Sequence, residues 1–169
     1  MERAAWHLAQ ANIGRLIAPP GDPRVAGFED ELDRINALAD RTPGFVWRLQ
    51  GEGGNAMAVG PTPDPQTILN MSVWEDADAL FEFVYRSAHT PVMARRREWI
   101  ERWQGAYQVL WWIEAGTIPT VDEALARLWT LDRYGPSPRA FTFKVRFPAP
   151  GLGGLPVDHR PDPWCVGNA

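Results

Sequence analysis

Residues 87–103, SAHTPVMARRREWIERW, place one histidine, three consecutive arginines and two tryptophans in a short segment. A neutral imidazole can transfer a proton, and a guanidinium can bind a carboxylate through two parallel hydrogen bonds. Tryptophan supplies large apolar walls, with an N–H group that needs a partner when it is buried. The segment is therefore either the solvated charged face of an ordinary amphipathic helix or part of a small-molecule pocket into which His89 and one of the arginines point.

The three arginines differ when the segment from residue 92 is drawn as an α-helix at about 100° per residue. Arg96 falls in the middle of the apolar face, together with Trp99 and Trp103. Arg95 falls at the rim of that face, and Arg97 falls on the solvent side. A buried guanidinium needs an acidic partner, carbonyl groups or an anionic ligand. Arg96 is therefore either part of an internal salt bridge or a ligand contact.

The environment of His89 depends on a nearby proline. Proline disfavours α-helical geometry in the residue before it, so Pro91 predicts a break at Thr90. Thr90 is then expected to cap a new helical turn, with Pro91 at its first position. His89 lies in the kink between two helical pieces. Its side chain either points into a cavity on the side of Arg96 or is hydrogen-bonded to a local carbonyl group.

Polar side chains also recur on predicted strands, where residues two apart share one face. Such residues on the first and third strands form a candidate mixed pocket with further tryptophans: Gln10, Asn12, Asn70, Ser72, Trp74, Trp47, Trp111 and Trp112. Polar groups inside apolar strands need hydrogen-bond partners if they are buried. Alternatively, these residues face water at an edge of the sheet.

Composition excludes several classes of protein. The chain of 169 residues has a net charge of -4, which argues against a general nucleic-acid binder. Its one cysteine cannot form an internal disulfide, so a cytoplasmic location is expected. No apolar run approaches the length of a membrane span, and no nucleotide-binding, hydrolase or metal-binding motif is present.

Periodicity and turn residues predict the following elements: strands 6–16, 45–50, 67–74, 106–116 and 139–147, and helices 25–40, 76–86, 91–103 and 121–134. The order β-α-β-β-α-β with an added α-β predicts an α+β fold of the ferredoxin-like type. We expect one domain over residues 1–147 and a proline- and glycine-rich tail over 148–169. The face of the sheet away from the helices also needs a cover, which predicts a homodimer.

The opening WHLAQANIGRL, the stretch VWEDADALFEFVYRSAHTPVMARRREWI and YQVLWWIEAG resemble a bacterial family of unknown function in the dimeric α+β barrel superfamily. This family is distantly similar to spheroidene monooxygenase, and the resemblance covers residues 6–147. It implies two ferredoxin-like subunits packed sheet to sheet, each with a pocket between sheet and helices. Members of the superfamily include cofactor-free quinone-forming monooxygenases, heme-degrading monooxygenases, heme-dependent dehydratases and peroxidases, and lactone isomerases.

The resemblance to the heme-degrading branch places Asn12, Trp74 and His89 at positions similar to its site residues. His89 lies further beyond Trp74 than in that branch, and Pro91 breaks the helix beside it. With heme, His89 is expected to ligate the iron and Arg95 or Arg96 to pair with a propionate. Without heme, Asn12 or His89 is expected to handle a proton or a developing oxyanion.

The leading hypothesis is a monooxygenase-like enzyme that acts on a hydrophobic aromatic or polyene metabolite, with heme or without any cofactor. The predicted catalytic residues are Asn12, His89 and Arg96. The predicted substrate-binding residues are Trp47, Asn70, Trp74, Trp99, Trp103 and Trp111. The alternatives are a cofactor-free isomerase or cyclase of secondary metabolism, and a non-catalytic protein that binds a small hydrophobic molecule.

Overall fold

The structure is a computed structural model that describes residues 6–51, 60–87, 89–154 and 156–158, with only the backbone at 89, 90, 157 and 158. Its elements are β1 (Trp6–Arg15), α1 (Ala26–Ala39), β2 (Phe45–Arg48), β3 (Thr67–Trp74), α2 (Ala77–Arg86), α3 (His89–Ala94), a 3-10 helix (Arg96–Glu98), β4 (Gln108–Glu114), α4 (Val121–Tyr134), β5 (Val145–Arg146) and β6 (Val157–Asp158).

The main sheet has the strand order β2-β3-β1-β4, and its neighbouring strands are antiparallel. β1 therefore lies in the interior of the sheet, between β3 and β4. Its register places Gln10 opposite Ser72 and Asn12 opposite Asn70. This arrangement confirms the predicted α+β, ferredoxin-like fold.

The two faces of the sheet carry different sets of side chains because successive residues of a strand point to opposite faces. One face packs against α1 and α2 and carries the polar residues of β1 and β3. The buried cluster on this face consists of Leu8, Ile35, Ala39, Trp74, Leu80, Phe83, Val84, Leu110, Phe141 and Phe143. This face holds the cavity described below.

The opposite face is covered by the chain itself. Buried side chains of β1, β3 and β4 pack there against Ala124, Leu128 and Leu131 of α4. The indole N–H of Trp111 donates to Glu123 of the same helix at 3.0 Å. Described residues of the chain itself thus supply a cover for this face, which the sequence analysis expected from a second subunit. The homodimer itself stays a prediction.

The limits of α4 follow from its two caps. At its first turn, the Thr120 hydroxyl accepts a hydrogen bond from the backbone N–H of Glu123 at 3.1 Å. At its end, Gly135 has a φ of 75°, a left-handed backbone that favours glycine. The predicted bounds of this helix, 121–134, are confirmed.

The predicted strand 139–147 is wrong in extent. Phe141 exchanges two backbone hydrogen bonds with Leu110 at the edge of the main sheet. The chain then turns at Thr142, whose hydroxyl accepts from the backbone N–H of Val145. The short strand β5 pairs with β6, which lies in the predicted tail. Residue 155 and residues 159–169 of that tail lie outside the described residues, as do residues 52–59 between the predicted strands 45–50 and 67–74.

The predicted helix 91–103 is also wrong beyond Ala94. The α-helix α3 begins at His89, so Pro91 is its third residue rather than its first. After the 3-10 helix, the chain becomes extended and pairs with the end of β1. The backbone of Ile17 donates to Trp99 at 2.9 Å, and that of Glu101 donates to Arg15 at 2.8 Å. These contacts with a distant strand override the helical periodicity of the segment.

Two glycines provide a matched stability prediction. Gly44 and Gly21 have φ angles of 83° and 87°, so alanine is strained at both positions. A Cβ at Gly44 lies 2.5 Å from the Cβ of Ala79, whereas one at Gly21 has no atom within 4 Å. We expect Gly44→Ala to lower the free energy of unfolding by about 2–3 kcal/mol and Gly21→Ala by about 1 kcal/mol, measured by urea denaturation. Equal losses would contradict the close packing of Gly44 against α2.

Candidate functional site

A cavity of about 570 Å³ lies between helices α1, α2 and α3 and the face of the sheet on which α1 and α2 pack. This volume is within the range of small-molecule sites. Its apolar walls are formed by Phe28, Leu32, Ile35, Ile68, Trp74, Leu80, Phe83, Val84, Val92, Met93, Trp99, Ile100 and Trp103. The cavity is therefore suited to a mainly hydrophobic, ring-containing ligand.

The floor of the cavity is a row of four polar side chains on β1 and β3. Gln10 and Asn12 lie on β1, directly opposite Ser72 and Asn70 on β3. All four face the cavity because each pair occupies alternate positions of its strand. We call this set, Gln10, Asn12, Asn70 and Ser72, the amide row.

Hydrogen bonds orient the amide row from one end. The indole N–H of Trp74 donates to Ser72 Oγ at 2.8 Å, and Gln10 Nε2 donates to the same oxygen at 2.9 Å. Gln10 Nε2 also donates to Asn70 Oδ1 at 3.1 Å, and Asn12 Nδ2 donates to Gln10 Oε1 at 3.5 Å. Each side chain in the row is thus held by a neighbour.

This pattern leaves hydrogen-bond donors for a ligand. Ser72 Oγ accepts two hydrogen bonds, which use both of its lone pairs, so its proton remains to be donated. The Oδ1 atom of Asn70 accepts from Gln10, which leaves the Asn70 NH₂ group as a donor on the cavity side. The floor therefore presents at least two oriented N–H or O–H groups in an otherwise apolar cavity.

Trp74 anchors the end of the amide row and has no exposed surface. Its ring stacks on Phe83 at a centroid distance of 5.0 Å and meets Phe45 edge-on at 5.4 Å. Both aromatic partners fix the plane of the indole, and its N–H group is fixed by Ser72. Trp74 is therefore both a wall of the cavity and the support of its floor.

Asn36 of α1 was not predicted from the sequence. Asn36 lines the cavity and is 8% exposed. A signal for this residue was present, because Asn36 falls beside the apolar stripe of Phe28, Leu32 and Ile35 when α1 is projected as a helix. The cavity thus has an amide on its helical wall as well as on its floor.

Charged side chains mark the mouth of the cavity. Arg97 and Arg102 line it and are exposed, and Arg96 lines it while being half-buried. The Arg96 guanidinium lies 5.0 Å from the centre of the Tyr107 ring. On the side of β2, Arg48 lines the cavity with a side chain that is only 12% exposed.

Ion pairs tie the mouth to the rest of the fold. Arg48 binds both oxygens of Asp40, at 2.7 and 3.2 Å. Arg15 binds Asp64 at 2.8 Å and Glu101 at 2.7 Å, and these hydrogen bonds raise the pKa of Arg15. Arg15 therefore links the end of β1 to the extended segment that follows the 3-10 helix.

The structure brings together most of the residues that the sequence singled out. The described lining includes Asn12, Asn70, Trp74, Arg96, Trp99 and Trp103. It also includes Arg97, which the helical projection assigned to solvent. The side chain of His89 lies outside the described residues, so its predicted roles stay predictions.

Four residues that the sequence assigned to the site are absent from the described lining of the cavity: Trp47, Arg95, Trp111 and Trp112. Trp47 and Trp111 pack on the face of the sheet that α4 covers. Trp111 alternates with the helix-side residues Leu110 and Trp112, and the sequence does not tell which set faces α1 and α2. Arg95 pairs with Glu98 at 2.9 Å and stacks on Trp99, on the outer surface of the segment.

A heme needs an axial ligand, usually a histidine or a cysteine thiolate. The described lining residues include neither type. The described part of the chain also has no group of three or more histidine, cysteine or carboxylate side chains arranged for a metal ion. The described lining thus does not fit a heme by itself.

Fold and cavity together define an α+β protein with a ferredoxin-like sheet and a cavity between that sheet and helices α1, α2 and α3. Residues 7–154 match the family described as Domain of unknown function (DUF3291), and the chain belongs to this family. The resemblance to a family of unknown function is thereby confirmed. Comparison with curated proteins found no match. None of the described helices has the length and apolar character needed to cross a membrane.

Solved structures with similarity to this chain share low sequence identity with it. A mutant of SnoaB, a cofactor-independent oxygenase from Streptomyces nogalater, is 18% identical with a TM-score of 0.45, over 66% of this chain and 95% of that one. PA3566 from Pseudomonas aeruginosa is 14% identical with a TM-score of 0.44, over 68% and 99%. NE2512 from Nitrosomonas europaea, of unknown function, is 16% identical with a TM-score of 0.44, over 70% and 99%.

Proposed function

We propose that this protein is a monooxygenase-like enzyme that oxidises a hydrophobic aromatic metabolite without a cofactor. The observation that carries the proposal is the amide row on the floor of an apolar cavity. Oriented donors in a water-poor site stabilise negative charge that develops on a bound molecule. The proposal also agrees with what the resemblance to the dimeric α+β barrel superfamily implies.

The reaction that suits this site begins with an anion. A phenolic aromatic compound with a methylene group between two rings loses a proton to water at the mouth of the cavity. The resulting charge spreads onto the phenolic or carbonyl oxygen, where Asn70 and Ser72 donate hydrogen bonds. These contacts strengthen as charge develops, so they lower the barrier to deprotonation.

The anion is the electron source for dioxygen. Its carbon forms a bond to one oxygen atom and gives a peroxide, which takes up the released proton. Loss of water from the peroxide converts the carbon to a carbonyl group. One methylene compound and one dioxygen thus yield one ketone or quinone and one water, and no other oxidant or reductant is needed.

Oxygen consumption with a tricyclic anthrone as the probe tests this function. We expect uptake of one dioxygen per quinone formed, at a rate above that of the heat-denatured protein and unchanged by a metal chelator. Tight binding of the anthrone without turnover would favour the non-catalytic alternative. Conversion of the probe under nitrogen at the same rate would favour the isomerase or cyclase.

A further inference from the structure

Helix α4 carries a stripe of exposed side chains on the side that faces away from the sheet. We call this set, Asp122, Ala126, Trp129 and Arg133, the outer stripe. Its spacing of four, three and four residues places its members along one side of a helix. The buried residues of α4 lie on the opposite side and pack on the sheet. The outer stripe thus presents a large exposed tryptophan between an acidic end and a basic end, and tryptophan and arginine are enriched where proteins bind one another.

The other charged residues of α4 are bound within the chain. Glu123 and Arg127 form an ion pair at 3.2 Å. Asp132 accepts a backbone hydrogen bond at 2.9 Å from the loop before β4. Asp122 and Arg133 lie instead on the exposed side of the helix. The charges that α4 presents to a partner are therefore those at the two ends of the outer stripe.

Aromatic rings orient the basic end of the stripe. The Arg133 guanidinium lies 5.7 Å from the centre of the Trp129 ring and 5.8 Å from that of Tyr134. These two rings meet edge-on at a centroid distance of 5.8 Å. Ring contacts use the face of the guanidinium plane, whereas a carboxylate binds to its N–H edge. The Arg133 side chain is thus held in place before a carboxylate binds, which lowers the entropy lost on binding.

The outer stripe is complementary to its own reverse. Its spacing reads the same from either end, so two antiparallel copies of α4 bring stripe onto stripe. A twofold axis between residues 127 and 128 places Asp122 against Arg133 of the partner subunit. The same axis places Ala126 against Trp129 of the partner subunit. The symmetry repeats both contacts, so each opposite charge and each large ring has a matching position.

We propose that the outer stripe of α4 is a homodimer interface, to which a second copy of this chain binds in antiparallel orientation. Parallel copies would place like charges together at both ends, so the charges select the antiparallel pair. The proposal assigns a surface to the homodimer that the sequence predicts, and it does not depend on the chemistry of the cavity. One helix pair is smaller than the interfaces of about 1,600 Å² in stable complexes, so we expect a Kd of about 10–100 µM.

Sedimentation velocity of the full-length protein over about 1–500 µM, in about 50 mM NaCl, measures this Kd. Asp122→Arg and Arg133→Asp each turn both ion pairs into like-charge contacts, so each variant alone is expected to dimerise about tenfold more weakly. Trp129→Ala removes the central ring and is expected to weaken the dimer by about tenfold or more. Lys144→Asp, the matched control, reverses an exposed charge outside α4 and is expected to leave the Kd unchanged.

An equimolar mixture of the two charge variants tests the antiparallel pairing. In a dimer of one Asp122→Arg chain and one Arg133→Asp chain, both contacts again join opposite charges. We expect this mixture to recover the Kd of the unsubstituted protein within about threefold. A folding defect in either variant cannot produce such a recovery, and circular dichroism of each variant alone checks the fold.

Absence of association in the unsubstituted protein at about 500 µM would overturn the proposal. A dimer that neither Arg133→Asp nor Trp129→Ala weakens would also overturn it, because the two copies would then meet through another surface. A mixture that associates no better than its components would contradict the pairing of Asp122 with Arg133 of the partner subunit. None of these measurements depends on turnover in the cavity.

Discussion

Replacing Asn70 by alanine is expected to lower kcat for oxygen-dependent anthrone oxidation by about 10²–10³-fold, with KM changed by less than about threefold. Gln10 donates a hydrogen bond to the carbonyl oxygen of Asn70, so the NH₂ group of Asn70 is left as a donor on the cavity side. A donor of this kind binds the developing oxyanion more strongly than the neutral substrate. The loss is therefore expected in kcat, measured from initial rates of oxygen uptake.

Two further variants separate this role from a general effect of losing an amide. Gln104→Ala removes an exposed amide that does not belong to the described lining, and its rates are expected to equal those of the unsubstituted protein. Asn70→Asp keeps the shape but places a carboxylate where the anion forms, so it is expected to be at least as slow as Asn70→Ala. A rise in KM at constant kcat for Asn70→Ala would show that this amide only binds the substrate.

Replacing Trp74 by alanine is expected to lower the free energy of unfolding by about 3–5 kcal/mol, the usual cost of removing a large buried aromatic ring. The Trp74 ring is fully buried between Phe45 and Phe83, so its loss leaves a void that the surrounding strands and helices cannot fill. It also removes one of the two donors to Ser72. Urea denaturation followed by far-ultraviolet circular dichroism measures the change.

The matched control is Trp129→Ala on the outer side of α4, where the tryptophan is 58% exposed. We expect this substitution to cost less than about 1 kcal/mol, because it leaves no buried void. Trp74→Phe retains most of the packing and loses the indole N–H, and it is expected to fall between the two alanine variants. Similar costs for Trp74→Ala and Trp129→Ala would contradict the assignment of Trp74 to the core.

The amide row shows which part of the site is predictable from sequence. Side chains of a strand point alternately to its two faces. Residues two apart, such as Gln10 and Asn12 or Asn70 and Ser72, therefore lie on the same face, and the sequence alone predicts this. The bounds of β3 were also predicted correctly, from a run of apolar and β-branched residues between turn signals. The spacing does not predict that β1 and β3 are neighbours, nor the register that brings the four side chains together in the amide row.

The errors have a common physical origin in contacts between distant segments. The predicted helix 91–103 ends early because Ile100 pairs with Leu16, a contact across more than eighty residues of sequence. Trp111 was assigned to the pocket, but β4 is apolar on both faces, and only the packing of α4 decides which face holds the cavity. Local pattern fixes the face that a residue shares with its neighbours, but it does not fix what covers that face.

The extended segment after the 3-10 helix has a consequence for how a ligand enters. Backbone hydrogen bonds from Ile17 to Trp99 and from Glu101 to Arg15 join this segment to the central strand of the sheet. One wall of the entrance is therefore continuous with the most strongly held part of the fold. We therefore expect a ligand to enter past this wall by displacement of side chains alone, without a slow opening of the backbone.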